Sequence, residues 1–254
     1  MTGPRYNRRT ALATLAFITG GAIPIQLVTL SFGYSEYYKA IDLGPRIIAV
    51  AHEFARWYIP FVLVPALLIL IGITLHTRRR YPDLYRRIIV GAGMGAVATI
   101  ALDAVRGAGV IHGWLPADTP VMFGKMATGS PNFAFYYPVG VVVHYLNGAS
   151  FGLLYAFVWG KRSSYLSAVL WAGIWAQVLE LGMMLGPPMG PMVGIFGRNY
   201  AWPQLFLLTF VAHIFFGMAM GLLIQTFLRD EDRDWLLPFL LGRRRVAAAE
   251  ASAA

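Results

Sequence analysis

The chain has 254 residues, of which 57% are hydrophobic and 13% charged, with a mean hydropathy of +0.58. Ordinary soluble domains carry roughly 25% charged residues, so a cytosolic globular enzyme, a disordered protein and a coiled coil are excluded, and a polytopic all-α membrane protein is expected. The formal charge is +9 with no cysteine; the basic residues stand in short clusters between apolar runs, as at a membrane surface and not as on a nucleic-acid-binding face, and disulfides, thiolate metal sites and a cysteine nucleophile are ruled out.

The segment after Arg8-Arg9 is long enough to span a bilayer, and no small-residue cleavage site precedes a soluble domain, so it reads as a first transmembrane helix. About 20 apolar residues cross the hydrocarbon. Six stretches meet that length, roughly 11–32, 47–76, 88–110, 138–159, 165–186 and 204–228. Pro60 and Pro65 lie inside the second and predict a kink. Trp235–Leu241 is too short to span and is expected on the surface.

Fifteen of the twenty-one basic residues fall at one set of helix ends, in Arg5 to Arg9, Arg78 to Arg87, Lys161-Arg162 and Arg229 to Arg245. Lys39, Arg46, Lys125 and Arg198 fall at the other ends, and Arg56 and Arg106 within or beside the spans. The positive-inside rule then places both termini in the cytoplasm of a bacterium, with the spans in its inner membrane. The two outer connections, about 111–137 and 187–203, are rich in Gly, Pro and Met and are candidate lids or partner surfaces.

The fourth span reads His144-Tyr-Leu-Asn-Gly148-Ala-Ser-Phe-Gly152-Leu-Leu and the sixth His213-Ile-Phe-Phe-Gly217-Met-Ala-Met-Gly221-Leu-Leu. Both are H-x3-G-x3-G-L-L. The span before each carries one carboxylate, Asp103 or Glu180, 16 residues after a polar inner boundary at Arg87 or Ser164. Spans 3–4 and 5–6 therefore read as a duplicated helical hairpin related by a pseudo-twofold along the membrane normal. Residues four apart share a helix face, and glycines at that spacing admit a close backbone approach. The simplest packing joins spans 4 and 6 along their glycine faces.

At 1.5 Å per residue, Asp103 and Glu180 lie about 24 Å from the inner boundary. His144 and His213 lie about 9 Å below the outer ends of their spans. His52 and Glu53 sit near the outer end of span 2. Ionisable groups inside a membrane are costly and normally face the bundle interior. A layer of His144, His213, Glu180 and Asp103, with His52 as a further candidate, suits a transition metal ion such as zinc, copper or iron. Haem b between the two histidines fits less well, because it needs a wide slot where the glycines imply contact. The same groups suit a proton or cation path. They also suit a purely structural role, with Asp103 pairing with Arg106 and Glu53 with Arg56 at i+3. Met183, Met184, Met189 and Met192, with Met122 and Met126, offer thioethers to copper(I) or simply fill gaps. His76 and His112 read as surface histidines. No nucleotide loop, hydrolase elbow or H-E-x-x-H zinc motif occurs, so the residues name no reaction.

The segments GAGMGAVATIALDAV, HYLNGASFGLLYAF, LELGMMLGPPMG and HIFFGMAMGLL resemble the YagU-like small four-helix bacterial membrane proteins over about 88–228. The resemblance implies an inner-membrane four-helix unit with a histidine in its second and fourth helices, and it brings no activity or ligand. The organisation expected is an N-terminal helix pair over 1–87, the duplicated unit over 88–228 and a cytoplasmic tail over 229–254. The functional expectation is a membrane-integral metal-binding protein, as a subunit of a membrane redox assembly or as a homo-oligomer. A small proton-coupled transporter and a structural subunit without a ligand stand as alternatives.

Overall fold

The computed structural model describes residues 8–39 and 46–233. Among these residues every element is helical and no strand occurs. Six helices are long and apolar enough to cross a membrane. Large aliphatic side chains point outward along them, with Leu75, Val142 and Leu166 each about two-thirds exposed. Contiguous apolar surface on this scale belongs against lipid, so the chain is a multi-pass membrane protein. The expected surface segment Trp235–Leu241 lies outside the described residues.

Helix α1 runs through Arg8–Ala16, a π-helical turn Phe17–Ala22 and Ile23–Lys39. Helix α2 runs through Ile47–Tyr58, a second π-helical turn Ile59–Leu63 and Val64–Arg80. Pro60 of α2 thus lies in a wide turn inside a continuous helix, and Pro65 opens the α-helical segment that follows. Pro60 lacks an N–H and its ring crowds the preceding turn, which an i→i+5 turn relieves. In α1 the wide turn carries Gly20 and Gly21, where the Leu70, Leu153 and Leu154 side chains would collide with any Cβ.

Helix α3 is Pro82–Ile111 and α5 is Phe133–Val158. They cross with Gly91 and Gly95 against Gly148 and Gly152, so closely that a Cβ at Gly95 or Gly152 would strike the facing backbone. Helix α6 is Tyr165–Leu185 and α8 is Gln204–Phe227. Here Gly217 and Gly221 lie on the carbonyls of Ala172 and Ala168. Each glycine face therefore packs on the helix preceding it in its own hairpin. The glycine faces of α5 and α8 do not meet, contrary to the packing expected from the motif. Instead α3 touches both α5 and α8 extensively and lies between them. A glycine face selects an antiparallel neighbour that also offers small residues, and the preceding helix of each hairpin supplies one.

Helix α5 starts five residues before the expected boundary. Asn132 caps it by accepting the Ala134 N–H, and Pro138 lies inside its second turn. This longer outer end has a partner. The 111–137 connection contains a helix α4, Thr119–Thr128, whose Gly124 lies against Tyr136 and Gly140 of α5. Met122, Phe123 and Met126 of α4 join a buried cluster with Leu27 and Phe32 of α1 and Ala51 and Ala55 of α2. The 187–203 connection forms the short helix α7, Met189–Val193, and a tight turn. Met184 and Met189 are buried there with Val193 and Leu205. The methionines thus occupy apolar packing positions on both connections.

At the end of the bundle where Arg86 and Lys161 lie, residues 228–233 fold back against the helices. Asp232 is fully buried and is gripped by Arg86 through two bonds, 2.6 Å to Oδ2 and 3.2 Å to Oδ1. Its Oδ2 also accepts the Arg229 N–H at 2.9 Å, and its carbonyl accepts the Lys161 N–H at 2.9 Å. This clasp joins the start of α3, the α5–α6 connection and the end of α8.

Candidate functional site

The register of the α3–α5 crossing sets Asp103 opposite His144, one turn outward of the glycines. Asp103 Oδ1 accepts from His144 Nε2 at 2.8 Å and from Arg106 Nε at 3.0 Å. Arg106 Nη1 also donates to Asp118, the residue that opens α4. One guanidinium thereby bridges two carboxylates. His144 is buried, its ring 6.2 Å from Phe123 of α4. The network ties α3, α5 and α4 together at the end of the bundle away from the basic clusters. Asp118 is a member that sequence reasoning did not name; its place before Thr119-Pro120 is a helix-start signal that could have marked it.

The α6–α8 hairpin has a different register. The alignment that puts Ala172 beneath Gly217 puts Ala176 beneath His213, and Glu180 falls one turn further out, against Thr209. Glu180 is fully buried. Its Oε1 accepts from the Thr209 hydroxyl at 3.1 Å and its Oε2 has no hydrogen-bond partner. Among the described residues no cation forms an ion pair with it. His213 Nδ1–H donates to the Thr209 carbonyl at 2.8 Å, which leaves Nε2 as the uncommitted ring nitrogen. Gln177, one turn inward of Glu180, donates to the Phe210 carbonyl at 3.2 Å while its buried Oε1 is unpartnered. Thr209 and Gln177 are the residues that sequence reasoning passed over. The i−3 spacing of Gln177 from Glu180 is the signal that placed it on the same face.

Helix α3 lies between the helices that carry His144 and His213. His52 belongs elsewhere. Its Nδ1 meets the Met126 carbonyl at 2.8 Å, and its ring lies against Gly129, where α4 ends at φ +63°. The five candidate residues therefore separate into a pair Asp103/His144, a pair Glu180/His213 joined through Thr209, and His52 alone. Among the described residues, no group of three or more His, Asp or Glu side chains gathers as a metal site would. Arg56 and Glu53 form no ion pair with each other. His76 and His112 are exposed, as expected.

The two pairs differ in chemistry. Asp103 and His144 satisfy one another with Arg106 and Asp118 and have little left to offer a ligand. Glu180 and His213 keep one acceptor atom each, and among the described residues no cation pairs with Glu180. Comparison of the chain with family models, curated proteins and solved structures finds no match.

Proposed function

We propose that this chain is a proton-handling membrane protein of the transporter or channel class, with Glu180 and His213 as the groups that take up and release the proton. The observation that carries this reading is the Glu180 carboxyl, fully buried, with one neutral donor on Oε1 and nothing on Oε2. A carboxyl held this way is far better accommodated as the neutral acid than as an unpaired anion in a membrane. The free Nε2 of His213, whose Nδ1 is held by the carbonyl of Thr209 one helical turn from Glu180, is a second proton acceptor. Two uncommitted groups suffice for a proton, whereas a transition-metal site takes three or four protein ligands.

A metal-binding reading keeps one favourable observation. The unpartnered Gln177 Oε1 would complete a set of three with Glu180 and His213, and water would supply the rest. Haem b is less well supported, since α3 lies between the helices that carry His144 and His213. In this reading the Asp103, His144, Arg106 and Asp118 network holds the outer helix α4 in place. His52 is part of that outer scaffold.

The same proposal includes the wider architecture. The H-x3-G-x3-G-L-L segments of α5 and α8, each set on small residues of the preceding helix, support a duplicated hairpin over 88–228 of the YagU-like kind. The clustered basic residues support cytoplasmic termini and a bacterial inner membrane.

Reconstituted in proteoliposomes with an imposed potassium diffusion potential, the wild-type protein should carry a proton flux that Glu180→Gln lowers at least about tenfold, a change of roughly 1.4 kcal/mol or more in the governing step. A Glu180→Gln flux equal to wild type sinks the proton reading. Stoichiometric zinc, copper or iron on elemental analysis, lost in the same variant, would replace it with the metal reading.

A further inference from the structure

Helix α2 is longer than a bilayer needs. The 24 residue-to-residue steps from Arg56 to Arg80 rise about 36 Å, against a hydrocarbon core of about 30 Å. With the inner basic run at Arg78 to Arg80 in the inner headgroups, Arg56 falls at the outer hydrocarbon boundary, and Ile47–Ala55 stands above it. Trp57 at this level is where an interfacial aromatic belongs.

Arg56 and Trp57 border an open cleft of about 560 Å³ between α1 and α2, with Tyr34 on the opposite wall and Phe61 and Val62 continuing toward the membrane centre. The Arg56 guanidinium lies 5.4 Å from the Trp57 ring centroid, and Trp57 stacks on Phe61 at 5.9 Å. Trp57 is 58% and Phe61 69% exposed. Arg56 is exposed as well and has no acidic partner among the described residues. Glu53 also borders the cleft.

The cleft therefore has a cation at headgroup level and a continuous aromatic and aliphatic wall directly beneath. A soluble anion would use only the upper part. A soluble partner protein would leave the lower wall facing lipid. An anionic glycerophospholipid uses both: its phosphate accepts from the guanidinium fork, and one acyl chain lies along Trp57, Phe61 and Val62. We infer that this cleft is a binding site for an anionic phospholipid of the outer leaflet, with Arg56 as the headgroup ligand. The site is separate from Glu180 and His213 and stands or falls independently of the proton reading.

The test is native mass spectrometry of the full chain released from nanodiscs containing equal amounts of phosphatidylglycerol and phosphatidylcholine. Wild type should retain phosphatidylglycerol over phosphatidylcholine by about fivefold, the scale of one partly screened charge-assisted contact. Arg56→Gln should bring that ratio to about one. Arg198→Gln removes an exposed outer charge elsewhere and should leave the ratio at its wild-type value. A wild-type ratio near one, an undiminished ratio in Arg56→Gln, or an equal fall in Arg198→Gln overturns the inference. Should Arg56→Gln fail to fold, Trp57→Leu serves in its place: it should reduce total retained phospholipid, and unchanged retention counts against the site. Added glycerol phosphate that displaces the retained lipid headgroup for headgroup would reassign the cleft to a free phosphate.

Discussion

Arg106 carries more of the outer network than any other single side chain, because it is the cation shared by Asp103 and Asp118. Arg106→Ala leaves two carboxylates and His144 to arrange themselves without it. The expected loss is about 1.5–3 kcal/mol, the range for hydrogen bonds to charged groups, measured by denaturant unfolding in detergent. Asp103→Asn combined with Arg106→Ala should cost less than the sum of the two, since the residues share one network. A change of Arg106→Ala within about 0.5 kcal/mol of wild type, the ordinary range for a surface substitution, would contradict the structural role given to it. At this scale the sequence was only partly legible. The i+3 spacing of Asp103 and Arg106 announced their pairing. The pairing of Asp103 with His144 depends on how α3 and α5 slide past each other, which spacing along either helix does not contain.

The sliding of helices is decided by backbone contact at glycine. Gly95 faces the Gly148 carbonyl and Gly152, whereas Gly93, two residues earlier, has open space around it. Gly95→Ala should destabilise the bundle by about 1–3 kcal/mol, the cost of forcing a methyl into a filled contact. Gly93→Ala should be neutral or slightly stabilising, because alanine is the better helix former. Thermal unfolding of both variants in the same detergent checks the contrast, and equal effects would refute the close crossing. The motif H-x3-G-x3-G made the contact faces legible without identifying their partners. It also suggested that Asp103 and Glu180 are equivalent, since both lie 16 residues from an inner boundary. The packed register separates them by one turn relative to the histidines, so Asp103 reaches His144 and Glu180 reaches Thr209. Distance from a charge cluster measures depth only as well as the cluster marks the membrane edge; side-chain contact depends on which small residues lie under which glycine. The clasp around Asp232 was illegible for a related reason, since a single aspartate in a charged segment gives no sign of being buried. Asp232→Ala should cost roughly 3–5 kcal/mol, the price of stranding a buried partner, and should open residues 228–233 to added protease.

For the molecule as a whole, length, hydropathy and charge were enough to find six membrane helices, because the hydrocarbon demands long apolar helices whatever their packing. The outer layer was harder to foresee. Helix α4 is only ten residues long, below the length that a spanning pattern detects, and it is stabilised by α2 and α5 more than by its own periodicity. The arrangement expects cytoplasmic termini and an outward 187–203 connection. Phosphatase and fluorescent reporters fused at Gly190 and at the C-terminus should report opposite sides, and an outward C-terminus would invert the whole assignment. Infrared difference spectroscopy across a pH titration reads the protonation of Glu180 itself. The wild-type protein should show the carbonyl stretch of a buried carboxylic acid that converts to a carboxylate band as pH rises, and Glu180→Gln should abolish that band while Asp103→Asn leaves it in place. A spectrum with no buried acid band, or a band that survives in Glu180→Gln, would contradict the account.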